Sequence, residues 1–494
     1  MRRDQLSGFF PDFGRFFPHF AGYGFDCGTG RAWFGPSFTA KPSRHMLALF
    51  PFRRPALLLA ASLLLTRTAH AQTPPAASPD SVFAGTPRET LALPGTPDFR
   101  LFDEAFYQNQ LFLLGEAHGV QRPQEIDFAL LRHLNQRAGV RHYLAEVDCA
   151  KAYYLNEYLR TGDEPTLRRV FASWVRQQAQ WGNEDFVRKI QRIRALNATL
   201  PAARRIRFVG IDGLQDYALA ADYLAVLQAR ANKLPASLTV RLDSVRAALP
   251  QAGAATFAGV AWRAQQALRA DEPAARRALG RATYDELQHL LTNASYARTL
   301  PSREAQIFAN YQAVLPLYHL ENEKLYGLWG TGHVLQSPTV DGHRAFASRV
   351  RQSSLPARNK VVSLLCTTSG SRMMYASAQL PAPFRTPQAY TATDKFNHDG
   401  PLVVLRGIEA LKATTAPGST TLVKLDAPGA AACRLPVQVR YAPGIPAAQQ
   451  LQFDPQLPAT AYVQYLLLVR DSGPTEPPRT ENASLNQAQA QPAR

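Results

Sequence analysis

The chain has 494 residues, 46% of them hydrophobic, enough for a large core in one big domain or two to three smaller ones. Its formal charge is +17, but the basic residues are overwhelmingly Arg and stand singly instead of in runs. Without an Arg-rich stripe or an interleaved aromatic platform, that charge reads as solvated surface, and nucleic acid is not an expected partner.

Residues 1–45, rich in Phe and Gly, resemble no export signal and are read as a mis-assigned extension upstream of a start at Met46. From Met46 to Ala71 the order is arginines, an apolar run from Pro55 to Leu65, and the small-x-small site Ala69-His70-Ala71. That order predicts a signal peptide cleaved near Ala71, and so a secreted or periplasmic protein. Residues 1–71 hold nine Lys/Arg and three Asp/Glu, so the mature charge falls to about +11. No later stretch is apolar enough to anchor the mature chain in a bilayer. Residues 72–92 read as a disordered linker, 93–471 as one α/β domain with a helical insertion at about 215–320, and 472–494 as a disordered tail. The mature cysteines Cys149, Cys366 and Cys433 make no metal pattern, although export would permit a Cys366–Cys433 disulfide.

Within 93–471, apolar runs alternate with helical patterns. Leu111–Leu114 predicts a strand, and after it Ile126, Leu130 and Leu134 share one helix face that Gly139 closes. Val140–Asp148 and Arg205–Asp212 predict two more strands, with the amphipathic Asn183–Ala198 between them. Almost everything from Tyr217 to Leu320 reads as helix, broken at Pro235, Pro250, Pro273 and Pro301. Strand character returns at Lys324–His333, at Lys360–Gly370, and in two later runs, GPLVVLRG and YVQYLLLVR. Strands separated by helices imply a mainly parallel sheet covered on both faces, with a possible antiparallel extension.

Ligands bind such sheets beyond the carboxyl ends of the strands. The first strand ends in Glu116 and His118, the second in Glu146, the third in Asp212 and the fourth in His333. In extended chain Glu116 and His118 project to the same side, and Gly115 and Gly119 permit a sharp bend and close approach of a ligand. An imidazole held by a carboxylate can take a proton from water, while His333 polarises the electrophile or protonates a leaving group. The same side chains, His118, His333 and Glu116 first among them, could instead hold a divalent metal, and spacing does not choose. No G-x-S-x-G motif, phosphate-binding loop or dinucleotide fingerprint is present.

The segments GEAHG, YLAEVDCAKAYYLNEYLRTGD, FVGIDGLQDYALA, SREAQIFANYQAVL and LYGLWGTGHV, in that order, resemble the erythromycin esterase-like family over roughly 105–340. That family sits in a wider group with the haem-uptake ChaN and Tiki/TraB proteins. The resemblance implies an α/β sheet with a helical lobe over the site and a small-molecule substrate. It also implies His118 as the water-activating base, Glu116 as its partner, and Glu146 and His333 as further catalytic groups. Arg303, Asn310 and Glu184, with Asp212, would support or line the cleft. Only Ala117 separates Glu116 from His118, a spacing nearer the haem-uptake branch, and GTGHV lacks the paired histidine of the esterases. The expectation is therefore an exported hydrolase of an ester, lactone or amide other than a macrolide, with haem or metal binding as the alternative.

Overall fold

The structure is a computed structural model that describes residues 83 and 85–479, apart from 252–253, 301 and 431–434. The proposed extension and signal peptide, and Cys433 with its proposed disulfide, lie outside the described residues. Twelve strands are described: β1 (Arg88–Thr90), β2 (Leu111–Glu116), β3 (His142–Ala145), β4 (Arg207–Gly210), β5 (Leu325–Gly330), β6 (Val361–Ser369), β7 (Met373–Ala376), β8 (Tyr390–Thr393), β9 (Val403–Leu405), β10 (Thr420–Lys424), β11 (Val439–Tyr441) and β12 (Tyr465–Arg470). Eight form one sheet, ordered β1-β10-β12-β6-β2-β5-β3-β4, and β7–β8 and β9–β11 make two small antiparallel pairs. From β12 to β4 every neighbour is parallel, and β10 and β1 add the antiparallel edge. The fold is α/β.

The helices are α1 (Glu104–Tyr107), α2 (Gln121–Ala138), α3 (Cys149–Thr161), α4 (Glu164–Arg176), α5 (Glu184–Thr199), α6 (Tyr217–Ala229), α7 (Ala236–Ala248), α8 (Ala254–Ala270), α9 (Glu272–Leu279), α10 (Arg281–Thr299), α11 (Arg303–Leu317), α12 (Phe346–Arg351) and α13 (Ile408–Ala413). Local chemistry sets several of their ends. Asp148 caps α3 by accepting from the Lys151 N–H at 2.8 Å, Asn183 caps α5 through Phe186, and Gly139 closes α2 in the left-handed region.

Strand periodicity divides the core. Phe112, Leu114, Tyr143 and Tyr326 face one way and pack with Ile126, Leu130 and Leu134 of α2 and Ile190 of α5. Leu111, Leu113, Leu144 and Val209 face the other way, against Ile307 and Val314 of α11 and Phe346 of α12. The parity carries past the strand ends: Glu116 follows Leu114 toward the α2–α5 face, whereas Glu146 follows Leu144 toward α11.

Two segments differ from the sequence expectation. In the presumed linker, β1 pairs with β10, because its backbone completes the sheet edge. In the presumed tail, the Thr475 N–H donates to Gly119 O at 2.8 Å and the Glu476 N–H to Asp185 Oδ2 at 2.7 Å, so 472–479 is bound to the domain. Among the described residues, no helix is long and apolar enough to cross a membrane.

The sheet opens where β3 and β5 part. They pair only at His142 and Tyr143; beyond that the Trp329 indole N–H donates to Leu144 O at 2.9 Å. A Cβ on Gly327 would lie 2.7 Å from that indole nitrogen and against the same carbonyl. Gly327→Ala is therefore expected to lower the unfolding free energy by roughly 1–3 kcal/mol. An unchanged urea midpoint would count against this packing.

Candidate active site

Glu116 closes β2 and accepts from Gln124 Nε2 at 3.2 and 3.0 Å and from His118 Nδ1 at 3.1 Å. A carboxylate has only lone pairs to offer, so His118 carries its proton on Nδ1 when neutral, leaving Nε2 as the free base. The Trp181 ring stands edge-on to the imidazole, centroids 5.0 Å apart. Behind Glu116, Lys189 Nζ donates to Gln124 Oε1 at 2.7 Å and to Asp127 Oδ2 at 2.5 Å. Tyr143 and Tyr326 donate their hydroxyls to the same aspartate, at 2.5 and 2.6 Å. Lys189 and Asp127 are buried. This ionic network fixes the Gln124 amide so that its N–H groups meet the carboxylate.

The second half is built on Arg303, the first residue of α11. Its Nε and Nη2 grip Asp212 at 3.1 and 2.6 Å, Nη2 also reaches Glu146 Oε1 at 2.7 Å, and Nη1 lies 3.2 Å from His333 Nε2. His333 sits on the short 3-10 turn Thr331–Val334 after β5, its Nδ1 against Glu304 Oε1 and its Nε2 3.5 Å from Glu146 Oε1. As a neutral ring it accepts from the arginine; as an imidazolium it donates to the carboxylate. The Gly330 N–H donates to Glu146 Oε2 at 2.8 Å. A Cβ on Gly330 would lie 3.1 Å from His118 Nε2 and 3.6 Å from His333 Cδ2, so the two imidazoles flank one glycine.

Burial disfavours the charged form of every group here, and the partners decide the outcome. For His118, burial works against the imidazolium, yet the Glu116 hydrogen bond and the charges of Glu146 and Glu116 hold its pKa above 6.5. Burial likewise opposes the His333 imidazolium, but Glu304 and Glu146 hold its pKa above 6.5 too. Glu146 is the reverse: burial would raise it, while His333, Arg303 and His118 bring it down to about 2. These partners favour its ionised form near neutral pH.

These groups floor a cavity of ≈ 200 Å³. Its wall is apolar and comes from the C-terminal third, including Leu365, Phe396, Leu402, Val439, Leu451 and Phe453. The helical lobe expected over the site is present, but among the described residues nothing between Tyr217 and Leu300 lines this cavity.

Of the residues singled out from sequence, Glu116, His118, Glu146, Arg303 and His333 line the cavity together, and Asp212 stands just behind Arg303. Asn310 is buried and donates to the carbonyls of Ile211 and Asp212, both at 3.0 Å, which places the aspartate without touching the cavity. Glu184 is elsewhere. It accepts from Arg168 at 2.7 Å and from the Arg479 N–H at 2.9 Å, because the start of α5 faces the C-terminal segment. The two glycines admit no ligand: a Cβ on Gly115 would lie 2.6 Å from Val334 Cγ2, and Gly119, at φ +87°, is crowded by the Met374 backbone.

Sequence reasoning missed Glu304, Gln180, His343 and His398, which also line the cavity, and Gln124 with Lys189 and Asp127, which stand behind Glu116. Glu304 adjoins Arg303 and Gln124 opens α2 eight residues beyond Glu116, so both had a sequence signal; the others are joined only by the fold. The donors do not fit a metal ion. Arg303 already occupies oxygens of Glu146 and Asp212, both Nδ1 atoms face carboxylates, and among the described residues no three His, Cys, Asp or Glu side chains converge as ligands would.

Fold and site define a parallel α/β protein with two imidazole–carboxylate pairs at the strand ends around a shared arginine. Residues 136–322 match the family model described as erythromycin esterase, a stretch holding Glu146, Asp212 and Arg303 but not Glu116, His118 or His333. Three solved structures share the fold. A Bacillus cereus protein is 12% identical with TM-score 0.59, covering 81% of this chain and 98% of its own. A mutant of the erythromycin esterase EreC in its open conformation is 13% identical with TM-score 0.56, over 80% and 100%. A succinoglycan biosynthesis protein is 15% identical with TM-score 0.55, over 81% and 97%. No curated protein matches in sequence.

Two measurements check the site. The His118 imidazole, followed by NMR, is expected to titrate above 6.5 and to drop toward or below that value in Glu116→Gln; an unmoved titration contradicts the pairing. Lys189→Met strands Asp127 in the core and is expected to cost about 3–5 kcal/mol of stability, read by urea unfolding. A loss below about 1 kcal/mol would mean that the network is not buried as described.

Proposed function

We propose that the chain is a hydrolase of an ester, lactone or amide, exported if Met46–Ala71 acts as its signal peptide. The observation that carries this reading is the pair of imidazoles flanking Gly330, each tied through Nδ1 to its own carboxylate.

The roles follow from charge. His118, with Nδ1–H given to Glu116, presents Nε2 to a water in the cavity and takes its proton as that water attacks the carbonyl carbon. Glu116 balances the imidazolium so formed. Repulsion between the two rings favours a state in which only one is charged, and Glu304 with Glu146 supports the charge on His333. His333 then donates its Nε2 proton to the developing oxyanion or the leaving group, and Nη1 of Arg303, from which a charged His333 cannot accept, adds a second donor. Glu146 and Asp212 hold the guanidinium in place and do not exchange protons. The apolar wall suits a substrate with an apolar body, its ester or lactone carbonyl at the polar floor. The similarity to the erythromycin esterase family supports the reaction class.

The test is turnover of a panel of nitrophenyl esters and lactones by the mature protein. His118→Ala is expected to cost roughly 10²–10⁴-fold in kcat/KM. The base must be neutral and the acid charged, so the pH profile should be a bell. Its acid limb, from His118, is expected above pH 6.5 and should move to lower pH in Glu116→Gln. His333→Gln should remove the alkaline limb. Equal turnover by wild type and His118→Ala across the panel would refute the assignment.

A further inference from the structure

A second cavity, of ≈ 550 Å³, lies outside β4, the edge strand, where α3 and α5 meet residues of the helical insertion. That volume falls in the range of small-molecule sites. Its lining includes four arginines, Arg160, Arg194, Arg205 and Arg207, against a single acid, Glu286.

The acid is already committed, since Arg230 Nη1 donates to Glu286 Oε2 at 2.8 Å and Tyr223 OH to the same oxygen at 3.2 Å. Arg160 is committed too, through Nη2 to Glu157 Oε2 at 2.6 Å. Arg194, Arg205 and Arg207 are different: among the described residues none has a carboxylate within ion-pair distance. The Nε of Arg194 is buried with no hydrogen-bond partner. That nitrogen packs over Gly162 and is closed to solvent, so Arg194 can serve the cavity through its Nη groups and not through Nε. Arg205 and Arg207 are exposed to solvent at the rim of the cavity, Arg207 5.8 Å from the Tyr318 ring centroid.

An added β-strand cannot be the occupant. Asn156 donates to Phe208 O at 2.9 Å and accepts from the Phe208 N–H at 2.8 Å, and Asn197 does the same for Ile206 at 2.8 and 2.7 Å. Two side-chain amides thus close the outer edge of β4, leaving no free ladder for a peptide. What remains is positive charge beside aromatic surface: Tyr153 and Tyr223 line the cavity, stacked with centroids 4.7 Å apart.

We propose that this cavity binds a small phosphorylated molecule with a planar or apolar body, its phosphate held by Arg194, Arg205 and Arg207. Guanidinium forks match phosphate oxygens bidentately, and several forks suit a dianion better than a single carboxylate. The site is independent of the hydrolase reading, because its lining shares no residue with the cavity of His118 and His333.

The test is calorimetric titration of the full mature protein with phenyl phosphate, with inorganic phosphate and benzyl alcohol for comparison. Saturable binding of phenyl phosphate is expected, weakening as salt is raised and tighter than for either half of the molecule. Arg194→Met and Arg207→Met should each weaken it about tenfold or more. Arg207→Lys should recover only part, since a point charge replaces a fork. Arg298→Met, an arginine stacked on Trp262 outside this lining, is the control and should bind as wild type does. Circular dichroism checks that each variant is folded. The proposal is overturned if wild type shows no saturable binding, or if folded Arg194→Met and Arg207→Met bind phenyl phosphate as tightly as wild type.

Discussion

One guanidinium decides how this structure can hold so much charge at the end of its sheet. Glu146 and Asp212 follow the ends of neighbouring parallel strands and meet at one guanidinium, and two carboxylates so placed repel and lose hydration. Arg303 answers both, with a two-point grip on Asp212 and a third contact to Glu146. Its plane of donors lets it do this while keeping one edge toward His333, which a lysine could not. Because Arg303 opens α11, the helical insertion has a definite job in this geometry: the first turn of its final helix delivers the cation.

The two halves of the site follow from the pleat. Residues of one parity in β2 reach the α2–α5 face, where Gln124, Lys189 and Asp127 lock Glu116 from behind. The opposite parity in β3 sends Glu146 to the face that α11 covers. Gly330 is where the halves meet, and any side chain there would press on the His118 ring. Each imidazole has a carboxylate against its Nδ1 from its own side, and the two rings face a common space. The C-terminal third then turns a polar sheet end into a cavity by adding an apolar wall.

Much of this was readable along the chain and some was not. Apolar runs ending in Glu116–His118, Glu146, Asp212 and His333 gave the strands and their chemistry, because strand ends are local events. The order β6-β2-β5-β3-β4 was hidden, since β5 enters between β2 and β3 only after two strands and the ten described helices α2 to α11 have passed. Glu184 looked like a site acid but faces the C-terminal segment, a contact between residues almost 300 positions apart. The apolar wall was invisible for the same reason: Leu402, Val439 and Phe453 belong to short strands and loops with no period to mark them. The arginine-rich composition gave no hint that three of those arginines share a cavity, because spacing along a chain does not report charge balance in space.

The account stands on Arg303 binding both acids as one unit, and a double-mutant cycle on unfolding free energy measures that directly. Arg303→Met, Asp212→Asn and their combination, each unfolded in urea, should show a coupling on the order of 1–3 kcal/mol. Effects that add to within about 0.5 kcal/mol would mean that the arginine and the aspartate do not share a buried contact, and the site as described would not exist.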